Sequence, residues 1–352
     1  MVDSILFIIS LIALGFISSL LMCPYVYRFA QKRKIVVTLN TTNQPVPVLG
    51  SIAVALGIAI PAIIYTVMEP NSLLMGLLLY ILVLLLLGIA DDIKNLSPSL
   101  RFCVELFVVG IYTLTQYMIN GLYGLWNIES LPLWISVPLS IIAGVGIINS
   151  INLIDGVDGY SSGFGIVSCV IFGTFFWHCE QEVFAIFLFV TAASLLPFFF
   201  YNVFGKKKMY IGDGGTLMIG AIMSSCVFYL LSSSSPCTND LPEGMGIVAF
   251  CLSILCIPVF DTLRVMFGRI ARNESPFKGD MTHLHHLFLN IGFSHSKTSL
   301  TLISINLLII SIWWVSYQLG AGIDLQLYIV VALGLISTFG LSRLLRHSAT
   351  EK

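Results

Sequence analysis

Asp91 and Asp92 stand side by side at the end of a leucine-rich apolar run and are followed by Ile93 and Lys94. Adjacent carboxylates at a membrane boundary are costly unless a cation or a protic partner offsets them. A solvated helix end is the plain alternative, yet Asp at a helix C-terminus opposes the dipole. A second segment reads Asn149-Ser150-Ile151-Asn152-Leu153-Ile154-Asp155-Gly156-Val157-Asp158-Gly159. Asn149 and Asn152 share one helix face, and Asp155 and Asp158 each precede a glycine. Oxygen-rich side chains on flexible backbone suit a hard cation such as Mg²⁺, or a nucleotide. Asp beside Gly also builds ordinary turns.

A third segment, Tyr210-Ile211-Gly212-Asp213-Gly214-Gly215-Thr216, follows Lys206, Lys207 and Lys208. Asp213 is expected at a helix N-terminus, where free N–H groups favour anions and where Asp also serves as a cap. The lysines alone read as anchors at a membrane surface. The fourth segment holds Asp261, Arg264, Arg272, Ser275-Pro276-Phe277, Asp280 and then His283-Leu284-His285-His286. Three histidines in four residues raise zinc, but no cysteine or partner spacing supports a closed site. Arg, Lys and His here read more naturally as a clamp for phosphate and sugar. His178, His295 and His347 stand alone and receive no role. Carboxylates and amides for a divalent cation, with cationic groups to balance a diphosphate, would let a soluble phosphorylated donor meet a membrane-bound acceptor.

The elements that must position these segments are membrane helices. Of 352 residues, 57% are hydrophobic and 10% charged, with a mean hydropathy of +0.95, whereas soluble proteins carry about 25% charged residues. A hydrocarbon core needs about 20 apolar residues per helix, and the backbone must satisfy its own hydrogen bonds there. That template predicts eleven spans, at 5–27, 50–67, 72–90, 102–120, 133–151, 160–177, 183–201, 214–232, 246–266, 299–317 and 324–341. The expectation is an all-α helical bundle forming one domain over 1–352, with 267–298 as a cytoplasmic substrate-recognition loop. The first apolar run lacks a basic leader and reads as a retained span.

With eleven spans, all 17 Lys and Arg residues fall on one face, so the N-terminus is expected outside and the C-terminus in the cytoplasm. The other face carries only acids: Asp3, Glu69, Glu129, Glu180, Glu182, Asp240, Glu243 and Asp324. All four segments then lie on the cytoplasmic side of the bilayer. The cysteines lack metal spacing and mostly read as small packed hydrophobes; Cys179 and Cys237, on the same outer face, are candidates for pairing. No nucleic-acid partner is expected. A transporter is the reading from another class, since intramembrane carboxylates often mark ion paths. A transporter would place them near the midplane and often show repeats, and neither is found.

In this order the segments resemble the polyprenyl-phosphate N-acetylhexosamine-1-phosphate transferases, over roughly residues 1–345. The His-Leu-His-His form is similar to the branch that starts O-antigen, enterobacterial common antigen and teichoic acid synthesis. The branch transferring phospho-MurNAc-pentapeptide, with a different histidine signature, ranks second. The resemblance implies transfer of GlcNAc-1-phosphate from UDP-GlcNAc to undecaprenyl phosphate with Mg²⁺ (Mn²⁺ as a substitute), in a bacterial inner membrane. A homodimer is a candidate assembly. It implies Asp213 and Asn152 near the metal, Asp91 and Asp92 as the catalytic pair, and Asp155 and Asp158 on the nucleotide side of the catalytic centre. Lys94, Asn149, Arg264, Arg272, His283, His285 and His286 join the substrate-binding set. One stretch departs: where the family has Pro-x-Pro-Arg-x-Gly-Gly, this chain has Pro45-Val46-Pro47-Val48-Leu49-Gly50-Ser51 after Asn43-Gln44. That loop is expected to line the substrate entrance, so the departure bears on the sugar and on diphosphate binding.

Overall fold

The computed structural model describes residues 4–38, 45–235, 237, 241–275 and 281–350. Asp3, Asn43, Gln44, Asp240, Pro276, Phe277 and Asp280, named above, lie outside them. The bundle runs α1 (Ser4–Lys32), α2 (Gly50–Met68), α3 (Ser72–Lys94), α4 (Pro98–Thr115), α5 (Leu133–Leu153), α6 (Tyr160–His178), α7 (Glu182–Val203) and α8 (Gly212–Leu230). It continues through α9 (Ile247–Ile254), α10 (Cys256–Ile270), α11 (Leu284–Asn290), α12 (His295–Gln318) and α13 (Ile323–Leu335). A π-helical turn (Ile336–Gly340) then leads into α14 (Leu341–Thr350). Among the described residues ten helices are long and apolar enough to cross a membrane, and the bent pair α9–α10 makes an eleventh span. Two antiparallel hairpins interrupt the helices: β1 (Val36–Thr38) with β2 (Pro45–Pro47), and β3 (Gly121–Leu125) with β4 (Ile128–Ser130).

Helix α8 is the hub. Every residue from Gly214 to Leu230 is buried, and α8 packs on α2, α3, α5 and α6. Lipid tails offer no hydrophobic drive between helices, so small residues that let backbones approach decide such contacts. A Cβ on Gly88 of α3 would overlap the Asp213–Gly214 backbone, and one on Gly220 would come within 2.7 Å of Ile148 Cα of α5. These two contacts bring Asp91 and Asp92, then Asn149 and Asn152, to the start of α8.

Three expected elements differ. The fourth span begins at Pro98 rather than 102 and ends at Thr115 rather than 120. The Ser97 hydroxyl accepts from Leu100 N–H at 3.3 Å and Pro98 occupies the first turn, a combination that starts helices well. Arg101 therefore sits inside α4 and not in a connector. The ninth span is broken, with α9 and α10 meeting at 76°. Pro258 has no N–H for the Ile254 carbonyl; Asn306 of α12 donates to that carbonyl at 2.9 Å and accepts from Ile257 N–H at 3.0 Å. Within 267–298 the described residues include the end of α10, α11 and the start of α12. At the other end of the bundle the β3–β4 turn is held by α13, where Trp126 N–H donates to Asp324 at 2.8 Å. Cys179 and Cys237 are both buried, and no disulfide joins them among the described residues.

Candidate active site

A cavity of about 220 Å³ opens where α3, α6, α7 and α8 meet the loops before α6 and α8. Asp91, Asp92, Asp155, Asp158 and Asp213 all line it, with Val37 and Val48 of the 36–48 region on one wall. The departing 45–51 stretch is laced to the third segment. Tyr210 N–H donates to Pro47 O at 2.9 Å, Gly50 N–H to Tyr210 O at 2.9 Å, and Ser51 N–H to Ile211 O at 3.0 Å.

The two adjacent carboxylates diverge. Asp91 accepts from Leu96 N–H at 2.7 Å and from Arg101 Nη1 at 2.9 Å. Asp92 accepts from the Asp213 and Gly214 N–H groups at 2.9 and 3.2 Å. An internal carboxylate thus occupies the start of α8, where an incoming anion was expected, and the positive end of that helix stabilises it. The unfavourable dipole at the end of α3 is offset by a guanidinium and by the opposite end of another helix.

Asp213 itself turns outward, its side chain 36% exposed. Asn152 donates to Asp213 Oδ1 at 2.7 Å and to Thr216 Oγ1 at 2.8 Å, and accepts from Arg101 Nη2 at 3.3 Å. Arg101 Nη1 also reaches Asp213 Oδ2 at 3.4 Å, so one guanidinium ties Asp91, Asp213 and Asn152 together. Glu105, fully buried one turn further on, faces Arg101 Nε at 3.4 Å and accepts from the Asn149 amide. Asn149 is thus committed to the bundle interior. Arg101 and Glu105 are functional candidates that the motifs do not contain. Their i, i+4 spacing, with an acid isolated in an apolar helix, is the signal that could have found them.

Asp155 accepts from the Ser161 hydroxyl at 2.5 Å. Burial, with Asp213 and Asp158 nearby, pushes its carboxyl up to about 7. Asp158 pairs with Lys208 through Oδ2, while Oδ1 has no hydrogen-bond partner. Buried Asn202 accepts from Gly159 N–H at 2.6 Å and donates to Met209 O at 2.9 Å, clasping the second segment to the third.

The fourth segment packs alongside, and its residues do not line the cavity. Asp261 accepts from Arg264 Nη2 at 2.6 Å and from the Leu284 N–H at 3.1 Å, and pairs with His283 Nδ1 at 2.9 Å. Arg264 also donates to Thr282 O at 2.7 Å. His285 is buried, with neither ring nitrogen hydrogen-bonded, and presses on Gly156; desolvation and the neighbouring imidazoles hold its pKa well below the usual histidine range. The His286 ring lies 4.0 Å from that of His285. Arg272 is exposed beside Glu274 at 3.3 Å, and Lys94 points to the exterior at the end of α3. The structure therefore brings together the first three segments, touches them with His285, and leaves Arg272 and Lys94 outside.

Among the described residues no group of three His, Cys, Asp or Glu is arranged as a closed metal site. Mg²⁺ does not require one, since it commonly takes one or two carboxylates and completes its shell with substrate phosphates and water. The outward carboxylate of Asp213 fits that habit.

Residues 74–231, from α3 to the end of α8, match glycosyl transferase family 4. The chain is 27% identical over 283 residues to the probable undecaprenyl-phosphate N-acetylglucosaminyl 1-phosphate transferase of Bacillus subtilis, covering 77% of this chain and 75% of that one. It is 28% identical over 268 residues to the undecaprenyl-phosphate alpha-N-acetylglucosaminyl 1-phosphate transferase of Escherichia coli K12, covering 74% and 69%. The similarity to glycosyl transferase family 4 thus covers somewhat less than half of the chain. That family comprises UDP-N-acetylhexosamine:polyprenyl-phosphate N-acetylhexosamine-1-phosphate transferases. The matched stretch holds all five cavity carboxylates, while the histidine segment follows it. Similarity to these two relatives spans about three quarters of the chain, less than the 1–345 expected from the motifs.

Proposed function

We propose that this chain transfers N-acetylglucosamine 1-phosphate from UDP-N-acetylglucosamine to undecaprenyl phosphate, releasing UMP and starting a cell-surface polysaccharide. The convergence of Asp91, Asp92, Asp155, Asp158 and Asp213 on one cavity at the ends of membrane-spanning helices carries this reading. The activities named for the two relatives support it. The cavity carboxylates sit at helix termini and in the loop before α6, which favours catalysis at an interface over transport. A phosphate monoester has a second pKa of about 6, so the lipid phosphate is largely a dianion and attacks the β-phosphorus without strong general-base help. Mg²⁺, or Mn²⁺ in its place, neutralises diphosphate charge when bound. Asp213 is the residue to hold it, with Asn152 fixing that carboxylate and Arg101 fixing Asp91 beside it. Asp155 and Asp158 face the nucleotide side, and His285 supports their loop through Gly156.

The same reading places the N-terminus outside and the cavity on the cytoplasmic face of a bacterial inner membrane, supported by the one-sided Lys and Arg distribution. A reporter after Lys352 should read cytoplasmic, and a cysteine at Glu129 should label from outside. The reaction itself is tested by offering several UDP-sugars with undecaprenyl phosphate and Mg²⁺ to the purified enzyme and weighing the lipid product. The expected products are a HexNAc-diphospho-lipid and UMP, with UDP-N-acetylglucosamine preferred. Release of UDP would overturn the reaction class. Preference for another N-acetylated sugar would leave the class intact and point to the 45–51 wall.

A further inference from the structure

Lys208 is the one lysine in contact with a cavity carboxylate among the described residues. The backbone just after it is fixed, because Met209 O accepts from Asn202 and Tyr210 N–H donates to Pro47 O. Its head is not held in the same way. The side chain is 45% exposed and its ion pair is with Asp158 Oδ2 alone. A half-exposed, single-point lysine pair contributes little, because solvent screens it and the long stem loses entropy when fixed. Asp158 is the reverse case. Its side chain is 4% exposed, and its Oδ1 lacks a hydrogen-bond partner.

The charge balance of the cavity gives this pair a purpose. Five carboxylates line the walls, and Arg101, the other cation that touches them, is divided between Asp91 and Asp213. A phosphate or diphosphate entering such a field needs a cation that can come to it. A compact ammonium on a flexible four-carbon stem does this more readily than a planar guanidinium held at several points. The Asp158 backbone N–H donates to His295 Nδ1 at 3.4 Å, so His295, to which the motifs assign no role, holds the backbone of Asp158 whether or not the lysine is paired with its side chain.

We propose that Lys208 is an exchangeable cation, parked on Asp158 in the empty cavity and transferred to the phosphate oxygens of an entering substrate. This rests on the phosphoryl-transfer reading above, and the shared chemistry is an anionic phosphate of either the UDP-sugar or the lipid. Lys208→Met and Lys208→Arg are compared with wild type for KM and kcat toward each substrate. Losing a charge-assisted contact should raise one KM by about tenfold or more, with Lys208→Arg retaining most of the affinity. A rise for the UDP-sugar identifies the donor diphosphate, and a rise for undecaprenyl phosphate identifies the acceptor. The proposal is overturned if Lys208→Met leaves both KM values unchanged, whether or not kcat or the melting temperature falls. Inorganic diphosphate provides a readout free of turnover. It should raise the melting temperature of wild type and fail to do so for Lys208→Met, even if no lipid product is formed. Should Lys208→Met not fold, Lys208→Gln carries the same comparison.

Discussion

In the cavity, carboxylates from the α3 end, the 154–159 loop and the α8 start converge on one space; Asp213 stays 36% exposed and Asp158 Oδ1 has no hydrogen-bond partner. In the neighbouring histidine segment, Asp261 takes Arg264, His283 and the Leu284 N–H at once, all of them buried. Both regions are dense in ionisable groups, but one gathers its acids around a cavity and the other pairs its charges with one another. A buried ion network whose members satisfy one another is a scaffold. A set of acids that converge without neutralising each other is a place for a cation and an anionic substrate. On this contrast Asp261, Arg264 and His283 hold their own segment together, and His285 bears on the cavity loop through Gly156.

The sharpest way to break that contrast is to neutralise one member of each region. Asp213→Asn should lower kcat by about 100-fold or more, the scale of losing one well-placed electrostatic group. Its melting temperature should stay close to wild type; UMP release at several Mg²⁺ concentrations gives the first quantity and a detergent melt the second. Near-normal turnover at limiting Mg²⁺ would remove Asp213 from the metal role. Asp261→Asn should do the opposite. Leaving Arg264 buried without its charge partner costs about 3–5 kcal/mol of stability, visible as a large drop in melting temperature. If it melted normally and yet failed to turn over, the histidine segment would belong with the chemistry.

A smaller effect concerns pH. The Asp155 carboxyl is raised to about 7, so the folded state prefers it neutral. Its contribution to stability is complete below the unfolded value of about 3.9 and is lost as pH rises through about 7. With metal chelated, wild-type melting temperature should therefore decline between about pH 4 and pH 7, and Asp155→Asn should flatten that decline. If ionised Asp155 serves the nucleotide step, kcat/KM should rise as pH passes through about 7, and the limb should vanish in the variant. The smallest expected effect is at the seam between the regions. Gly156→Ala would drive a methyl into the His285 ring, with an overpacking cost of about 1–3 kcal/mol. It should raise the KM for the UDP-sugar more than it lowers kcat. An unchanged KM would mean that His285 only fills space.

The bundle and the acidic segments were legible because apolar length and clustered carboxylates are local signals. Arg101 was hidden by its position, since a basic residue just after a span reads as a membrane anchor until Ser97 and Pro98 are recognised as a helix start. The partnership of Asp92 with the α8 amides joins residues 121 apart in sequence, which no spacing rule reaches. Arg272 and Lys94, counted with the substrate-binding set from the sequence, lie on the exterior and not in the cavity lining. The break in the ninth span was equally hidden, because Pro258 alone is tolerated in many membrane helices and its partner, Asn306, comes from another helix.

That break has a consequence for biogenesis. During synthesis the 247–270 stretch meets the bilayer as one continuous apolar segment, before α12 exists. The carbonyl of Ile254 and the N–H of Ile257 gain their side-chain partner only when Asn306 arrives on α12. The 76° elbow is therefore completed after insertion by a helix made later. Because Asp261 and Arg264 ride on the arm beyond the elbow, the wall beside the cavity is among the last parts of the enzyme to mature. A nascent chain released before α12 would carry every cavity carboxylate and still lack that wall.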